Sequence, residues 1–273
     1  MSLQSLKKLY LIGMGRMGKS MIHGWLNGGL SSGSLQIIDP NIKTTDKFLT
    51  ENNLKTSSIE EIDLTQGSIV VAVKPQSMED VLSTLKEKVT SQTTIISIVA
   101  GYTTQDIRRY IGTEPQLIRT MPNTPAAIGK GMTAIFSDGK LTSNIRLEVE
   151  ELFRAIGKYC WIEEEDSMHL ITAISGSGPA YYYLLTEYLM DIATSKGLDP
   201  DIARLLVQQT FTGSASLAEN FPNISPSQQR KNVTSPGGTT EAALKILMED
   251  DKLKELFNEA INSATERSKI LSK

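Results

Sequence analysis

The segment Leu9-Tyr10-Leu11-Ile12-Gly13-Met14-Gly15-Arg16-Met17-Gly18 decides the fold of this chain. Its first four residues predict a buried strand, and the apolar residues from Met17 to Leu26 fall on one face of a helix. A G-x-G-x-x-G pattern between a strand and a helix is the dinucleotide-binding fingerprint. Gly13 permits the tight turn, Gly15 lets a pyrophosphate approach the backbone, and Gly18 lets the helix pack on the strand. A glycine-rich turn that binds no ligand is the alternative interpretation.

Strand-like and helix-like segments alternate from this point to about residue 163. The predicted strands cover residues 9–12, 35–38, 69–73, 95–99, 117–119, 132–136 and 159–162. Apolar strands that alternate with helices predict a mostly parallel sheet covered on both faces. After residue 163 the pattern is helical, with a loop at 221–227 and final helices near 240–249 and 252–271. We therefore predict an α/β fold, with a Rossmann-type domain over residues 1–163 and an all-α domain over residues 164–273.

Composition excludes several classes of function. The chain has 273 residues, a net charge of −3, two histidines and one cysteine. It has no basic excess to neutralise phosphates, which argues against nucleic acid as a partner. Two separated histidines and Cys160 cannot build a His/Cys metal cluster, and one cysteine cannot form an internal disulfide. No apolar stretch reaches the ~20 residues of a membrane span, and the N-terminus does not fit a signal peptide. We expect a cytoplasmic protein without a metal or a membrane partner.

Asp39 follows the second predicted strand, which is where a carboxylate accepts hydrogen bonds from the adenosine ribose. A carboxylate there repels a 2′-phosphate by about 1 kcal/mol in water and about 4 kcal/mol at an effective dielectric of 20. It therefore favours NADH over NADPH. Lys43 and Lys47 lie near enough to offset that preference. A turn-forming Asp before Pro40 is the alternative.

Other turns follow predicted strands at the edge where such sheets bind ligands. They are Val73-Lys74-Pro75, Ala100-Gly101 and Met121-Pro122-Asn123-Thr124-Pro125. We expect Val73, Lys74, Pro75, Ala100, Gly101 and Asn123 to line the cofactor site. A solvated Lys74 and a purely structural turn around Asn123 are the alternatives.

Two glycine-rich segments interrupt the helical half. Ser175-Gly176-Ser177-Gly178-Pro179-Ala180-Tyr181 disfavours a helix, by about 1 kcal/mol per Gly and about 3 kcal/mol for an interior Pro. Either close packing at a subunit interface or close approach to a ligand explains it. Ser235-Pro236-Gly237-Gly238-Thr239-Thr240 leads into a helix, where free N–H groups and the Ser235 hydroxyl suit a small carboxylate. Capping of that helix by Thr239 or Thr240 is the alternative.

These segments together resemble the pyrroline-5-carboxylate reductase family over nearly the whole chain. The resemblance rests on the glycine loop, Ala72 to Pro75, Ala100-Gly101, Met121 to Pro125, Ser175 to Tyr181 and Val233 to Leu244. It implies an oxidoreductase that uses NADH or NADPH to reduce a cyclic imine to L-proline, the last step of proline biosynthesis. It also implies a homodimer formed through the helical domain, assembled as a homodecamer in some members.

The resemblance also implies roles for single residues. Thr240 resembles the residue whose hydroxyl bonds the ring nitrogen, and Ser235, Gly237, Gly238 and Thr239 resemble the carboxylate site. Asp166 and Asn232 lie where the family has polar residues near substrate and cofactor, respectively. The family needs no strong acid, because a protonated imine accepts hydride readily and water can deliver the final proton. Asp39 departs from the neutral or basic residues of many members.

Two other functions remain possible from the sequence. A hydroxyacid dehydrogenase with this architecture usually places a catalytic Lys on a helix of the second domain, whereas Lys196 lies next to Gly197 at a helix end. A non-catalytic cofactor sensor would not require the segment from Ser235 to Thr240.

Overall fold

A computed structural model describes residues 3–6 and 8–272 of the chain. Eight strands form one sheet in the order β3-β2-β1-β4-β5-β6-β7-β8. The strands are β1 (Leu9–Ile12), β2 (Leu35–Ile38), β3 (Lys55–Thr56), β4 (Gly67–Val71), β5 (Thr93–Ser97), β6 (Gln116–Met121), β7 (Gly131–Ser137) and β8 (Gly157–Trp161). Every neighbouring pair is parallel except β6 and β7. The α/β fold with a mostly parallel sheet is therefore confirmed.

Helices connect the strands and make up the rest of the chain. The α-helices are α1 (Arg16–Asn27), α2 (Lys47–Glu51), α3 (Met78–Lys86), α4 (Thr104–Ile111), α5 (Ser143–Arg154), α6 (Ser167–Ile171), α7 (Gly178–Ser195), α8 (Pro200–Asn220), α9 (Pro226–Asn232), α10 (Thr239–Leu247) and α11 (Lys252–Leu271). A π-helix, Thr172–Gly176, lies between α6 and α7. Short 3₁₀ turns are Leu3–Ser5, Ser32–Ser34, Pro75–Ser77, Thr124–Ile128 and Glu249–Asp251.

The core lies on both faces of the sheet because side chains alternate along each strand. Leu9 and Leu11 of β1 join one buried cluster, which includes Trp25 of α1 and Phe153 of α5. Tyr10 and Ile12 join the opposite cluster, which includes residues of α3 and α4. This arrangement explains why the strands read as continuous apolar runs in the sequence.

The contacts divide the chain into two compact units, which we call the sheet unit and the helical unit. The sheet unit runs to Ser177 and takes in the end of α11 from Ala264, whereas the helical unit is Gly178–Ser263. This division falls later than the predicted boundary after residue 163. The physical reason is that α6 and the π-helix pack onto the sheet, where Met168 and Ala173 are buried.

Several element bounds differ from the sequence predictions. β4 ends at Val71 and β5 at Ser97, each two residues earlier than predicted. The predicted loop 221–227 ends early, because α9 begins at Pro226 with Ser225 as its N-cap. Ser225 Oγ accepts a hydrogen bond from Gln228 N at 3.2 Å, which favours a helix there despite its polar sequence.

The helical unit exposes many large apolar side chains. Tyr183, Leu184 and Leu189 of α7 and Leu205 and Leu206 of α8 are all exposed. An apolar surface of this kind is typical of an interface with another protein chain. No helix in the described part of the chain is long and apolar enough to cross a membrane.

Candidate active site

The glycine loop has the geometry that a dinucleotide site requires. Gly13 follows β1 with φ +98°, and a Cβ there would lie 2.7 Å from the Ala72 carbonyl oxygen. A Cβ at Gly18 would lie 2.5 Å from the Gly13 carbonyl oxygen. Side chains at these two positions would therefore clash with backbone. At Gly15, by contrast, no described atom lies within 4 Å of the Cβ position. The loop is closed on the protein side and open at Gly15.

The first turn of α1 leaves room for an anion. Gly15 is the N-cap of α1 and supplies no side-chain cap. The first N–H groups of a helix that lacks such a cap favour negative charge. Arg16 is exposed beside this end, while Met14 and Met17 pack into or against the core. A dinucleotide pyrophosphate would therefore meet the backbone and Arg16, rather than the Met14 or Met17 side chains.

Asp39 is already bonded to the protein backbone. Its Oδ2 accepts a hydrogen bond from Met14 N at 2.8 Å, and its Oδ1 accepts one from Asn41 N at 2.9 Å. Asp39 thus supports the glycine loop and also forms the turn that the alternative interpretation named. Each carboxylate oxygen keeps a second lone pair for a ribose hydroxyl. The two interpretations of Asp39 are therefore compatible.

The remaining predicted cofactor turns lie at the same sheet edge as the glycine loop, because β1, β4, β5 and β6 are parallel. Val73 and Ala100 are partly buried there, while Lys74 is exposed before the turn Pro75–Ser77. Gly101 has φ +84°, and a Cβ there would lie 2.5 Å from the Leu271 carbonyl oxygen. The end of α11 thus explains the glycine at this position.

Asn123 has its side chain bonded to two protein groups. Its Oδ1 accepts a hydrogen bond from Met132 N, and its Nδ2 donates one to the Ser175 carbonyl oxygen. These bonds bring together two segments that the sequence singled out separately, the Met121–Pro125 turn and the Ser175–Tyr181 segment.

The predicted carboxylate-binding residues lie in the helical unit. Gly238 is the N-cap of α10 and provides no side-chain cap, so neither Thr239 nor Thr240 caps this helix. The capping interpretation of those two threonines is therefore wrong. Gly237, with φ +70°, donates its N–H to Glu241 Oε2 at 2.8 Å, which shows that this amide can bind a carboxylate.

An open cleft of 690 Å³ adjoins this segment within the helical unit. The residues that line it include Gly237, Gly238, Arg230 and Lys231.

Asn232 ends α9, with its Oδ1 accepting a hydrogen bond from Gln228 Nε2 at 2.8 Å. Asp166 lies apart in the sequence as the exposed N-cap of α6, in the sheet unit.

A buried ion pair near the predicted site was missed by the sequence analysis. Arg119 of β6 is only 1% exposed, and its Nη1 lies 2.8 Å from Glu165 Oε1. Glu165 also accepts hydrogen bonds from Thr104 N at 2.8 Å and Thr104 Oγ1 at 2.5 Å. The sequence feature that could have revealed this ion pair is the charged Arg119 inside a mostly apolar strand.

His169 is buried next to this ion pair. Its Nδ1 lies 3.0 Å from Ser268 Oγ on α11. Burial lowers the pKa of His169, and the nearby Arg119 charge lowers it further. The neutral imidazole thus joins α6 to the end of α11 inside the sheet unit.

The mostly parallel sheet and its glycine loop define a Rossmann-type dinucleotide-binding protein as the class of this protein. Comparison with known proteins makes the family specific. The family described as "Pyrroline-5-carboxylate reductase dimerisation" matches residues 165–271, and "NADP oxidoreductase coenzyme F420-dependent" matches residues 8–101. The chain belongs to the pyrroline-5-carboxylate reductase family, as its full-length relatives show.

Those relatives include curated sequences and solved structures. A pyrroline-5-carboxylate reductase of Pasteurella multocida is 35% identical over 98% of both chains. One of Haemophilus influenzae is 36% identical over 88% of this chain and 89% of its own. The structure of a Coxiella burnetii pyrroline-5-carboxylate reductase has a TM-score of 0.90 at 34% identity, covering 98% of this chain and 100% of that one. A Plasmodium falciparum pyrroline carboxylate reductase with NADP bound has a TM-score of 0.85 at 32% identity, covering 99% of each.

Proposed function

We propose that this chain catalyses reduction of (S)-1-pyrroline-5-carboxylate by NAD(P)H and a proton, giving L-proline and NAD(P)⁺ as the last step of proline biosynthesis. The observation that carries the proposal is full-length similarity to pyrroline-5-carboxylate reductases, at 35% identity over 98% of the chain. The glycine loop supports it, because Gly15 is open and the N-terminus of α1 has no side-chain cap.

The residues of the chain have separate tasks in this reaction. A bound dihydronicotinamide would supply the hydride to the C=N carbon of the imine, which is C2 of 1-pyrroline-5-carboxylate and becomes C5 of proline. The Thr240 hydroxyl hydrogen-bonds the ring nitrogen as it changes from iminium to amine. Ser235 and the amides of Gly237, Gly238 and Thr239 hold the substrate carboxylate, which would replace Glu241 Oε2 as the partner of Gly237 N. Asp166 is a further polar residue near the substrate, and Asn232 is a further polar residue near the cofactor. Holding the imine in a reactive orientation is the main contribution of the protein.

The glycine loop of the sheet unit binds the dinucleotide. Residues Gly13 to Gly18 bind the pyrophosphate, Asp39 bonds the ribose, and the turns after β4, β5 and β6 line the rest of the site. We expect NADH to be preferred, because the Asp39 carboxylate stands at the end of β2 and repels a 2′-phosphate. Lys47 is a lysine that could attract a 2′-phosphate and so offset this preference. Its Nζ lies 3.5 Å from Glu51 Oε1, so its charge is partly neutralised within α2.

Self-association belongs to the proposal as well. The family's dimerisation region matches residues 165–271, and the exposed apolar residues of α7 and α8 form a surface that a second copy of the chain would bury. We propose a homodimer, with assembly into a homodecamer as the larger alternative. The cytoplasmic location expected from the sequence stays a prediction.

Initial rates of NADH and NADPH oxidation, followed at 340 nm with pyrroline-5-carboxylate, test this function. We expect imine-dependent oxidation with both cofactors and a higher kcat/KM with NADH. The comparison reaction, which tests for a hydroxyacid dehydrogenase, mixes the enzyme with NAD⁺ or NADP⁺ and 2-hydroxy acids. We expect no reduction of the cofactor in it. Folded protein that binds cofactor but reduces it only with hydroxy acids would contradict the proposal.

A further inference from the structure

The π-helix Thr172–Gly176 is an irregular turn at the end of the sheet unit. Ser177 N donates a hydrogen bond to the Thr172 carbonyl oxygen at 2.8 Å, which is the five-residue spacing of a π turn. Such single turns are rare inside helical segments and occur often at functional sites. Since α-helical bonding is the more stable pattern, other contacts must hold this turn in place.

The Asn123 carboxamide supplies such contacts. Its Nδ2 donates to the Ser175 carbonyl oxygen at 3.1 Å, and its Oδ1 accepts from Met132 N at 2.8 Å. Both ends of the side chain are thus bonded, one to the π turn and one to β7. Pro122 and Pro125 restrict the backbone around it, and Asn123 itself is extended, with φ −131° and ψ 168°.

A second contact reinforces the same junction. A Cβ at Gly176 would lie 3.6 Å from Met121 Sδ, so the last residue of β6 packs directly on the π turn. Met121 is buried in a small cluster with Ala134 and Met168. The π turn therefore lies on the carboxyl end of β6, at the sheet edge that also carries the glycine loop on β1.

We propose that Asn123 is a positioning residue for hydride transfer, which fixes the π turn against the end of β6 and so shapes the nicotinamide end of the cofactor site. This role rests on the proposed function. In this role the Asn123 side chain hydrogen-bonds protein groups and does not contact the cofactor directly. Loss of the bond to Ser175 lets the turn relax toward α-helical bonding, which shifts the following side chains by about 100°, one residue of an α-helix.

Asn123→Asp tests this role with little change of shape. The carboxylate keeps an acceptor for Met132 N but has no N–H to donate to Ser175, and it places negative charge against a carbonyl oxygen. We expect kcat to fall at least about tenfold, while the Kd for NADH, measured by fluorescence, stays within about threefold. With NADH deuterated at the transferred position, the isotope effect on kcat should rise, because misplaced reactants slow the hydride step itself.

Asn220→Asp is the matched control. Asn220 Nδ2 donates to the Ser216 carbonyl oxygen at 3.0 Å on exposed helix α8, so the same bond type is lost away from the glycine loop. We expect its kcat and isotope effect to stay within twofold of the wild type. Should Asn123→Asp fail to fold, Asn123→Ser, which buries no charge, is judged by the same criteria.

Two results would overturn the positioning role. One is a Kd for NADH that weakens in parallel with kcat/KM at an unchanged isotope effect, which would show direct cofactor binding. The other is wild-type kinetics in the folded variant. A wild-type enzyme that shows no imine-dependent oxidation would instead contradict the proposed function, so the two failures are distinguishable.

Discussion

Asp39 has an observed role in local structure, and we propose a second role for it in ligand binding. Its two oxygens accept backbone hydrogen bonds from Met14 and Asn41, which ties the end of β2 to the glycine loop. Its charge also faces the place where a dinucleotide fingerprint puts the ribose. The sequence predicted the turn as one of two interpretations, whereas the bond to Met14 was not predicted and the ribose contact stays a prediction.

Asp39→Asn should change the choice between the two cofactors. Removal of the negative charge removes a repulsion of about 1–4 kcal/mol toward a 2′-phosphate. We expect the ratio of kcat/KM for NADPH over NADH to rise about fivefold or more. Asp63→Asn is the matched control, because Asp63 accepts a hydrogen bond from Thr65 N in a similar turn. An unchanged ratio in Asp39→Asn would show that Asp39 supports the loop and does not read the ribose.

Thr240 is the residue whose hydroxyl the proposed chemistry uses directly. It is partly buried in the first turn of α10 and does not cap that helix. Thr240→Ala should lower kcat about tenfold, the effect of losing about 1.4 kcal/mol of hydrogen bonding in the transition state. The Kd for NADH should stay unchanged, and Thr240→Ser should restore most of the rate. Equal losses in kcat and cofactor affinity would refute the assignment.

At the scale of elements, periodicity predicted seven of the eight described strands and missed β3, whose two residues are too few to show a pattern. β1 and β2 are buried and α1 is amphipathic, as their sequences indicate. The direction of β7 was not predictable, because an apolar strand has the same pattern whether it runs parallel or antiparallel. The π-helix was also missed, because its contact with Asn123 comes from a residue about fifty positions away in the chain.

The helix α9 shows a different limit of prediction. Its sequence, Pro-Ser-Gln-Gln-Arg-Lys-Asn, has no apolar stripe, so periodicity gives no signal for a helix. Only the Ser225 cap and Pro226 at the first helical position mark its start. The segment from Ser235 to Thr240 was predicted correctly as a turn into a helix, but the cap of that helix is Gly238, and the roles of the other residues stay predictions.

The ion pair between Arg119 and Glu165 joins β6 to the start of α6. Glu165→Gln should destabilise the protein by about 3 kcal/mol, because the Arg119 charge would be left buried without a partner. Denaturation by urea, followed by circular dichroism, measures this free energy. Glu51→Gln removes an exposed partner of Lys47 and should cost less than about 0.5 kcal/mol. Equal effects of the two substitutions would mean that the buried pair adds no stability.

At the scale of the whole molecule, the sheet unit gathers residues from both ends of the chain. The end of α11 packs on Gly101 and meets His169 through Ser268. Charges of Arg119, Asp166, Lys269 and Glu165 surround that imidazole. Protonation of His169 is disfavoured in the folded state, because burial and Arg119 lower its pKa.

This lowered pKa predicts acid sensitivity of the fold. Below a pH of about 6.5 the unfolded chain protonates His169 more readily than the folded chain, so the free energy of unfolding falls as pH drops. The contribution is fully present above that pH, and one proton limits its slope to about 1.4 kcal/mol per pH unit. His169→Gln should have a shallower dependence between pH 7 and pH 5 than the wild type. His23→Gln, at an exposed position of α1, is the control. Parallel curves for wild type and His169→Gln would contradict the assignment.

We propose above all that this protein reduces a cyclic imine to proline with hydride from a nicotinamide cofactor. The most direct test measures L-proline formed per NADH oxidised, by chiral chromatography after reaction with pyrroline-5-carboxylate. We expect one L-proline for each NADH consumed, in the ratio that a single hydride transfer requires. Oxidation of NADH without L-proline, or no reaction by folded protein that binds the cofactor, would contradict it.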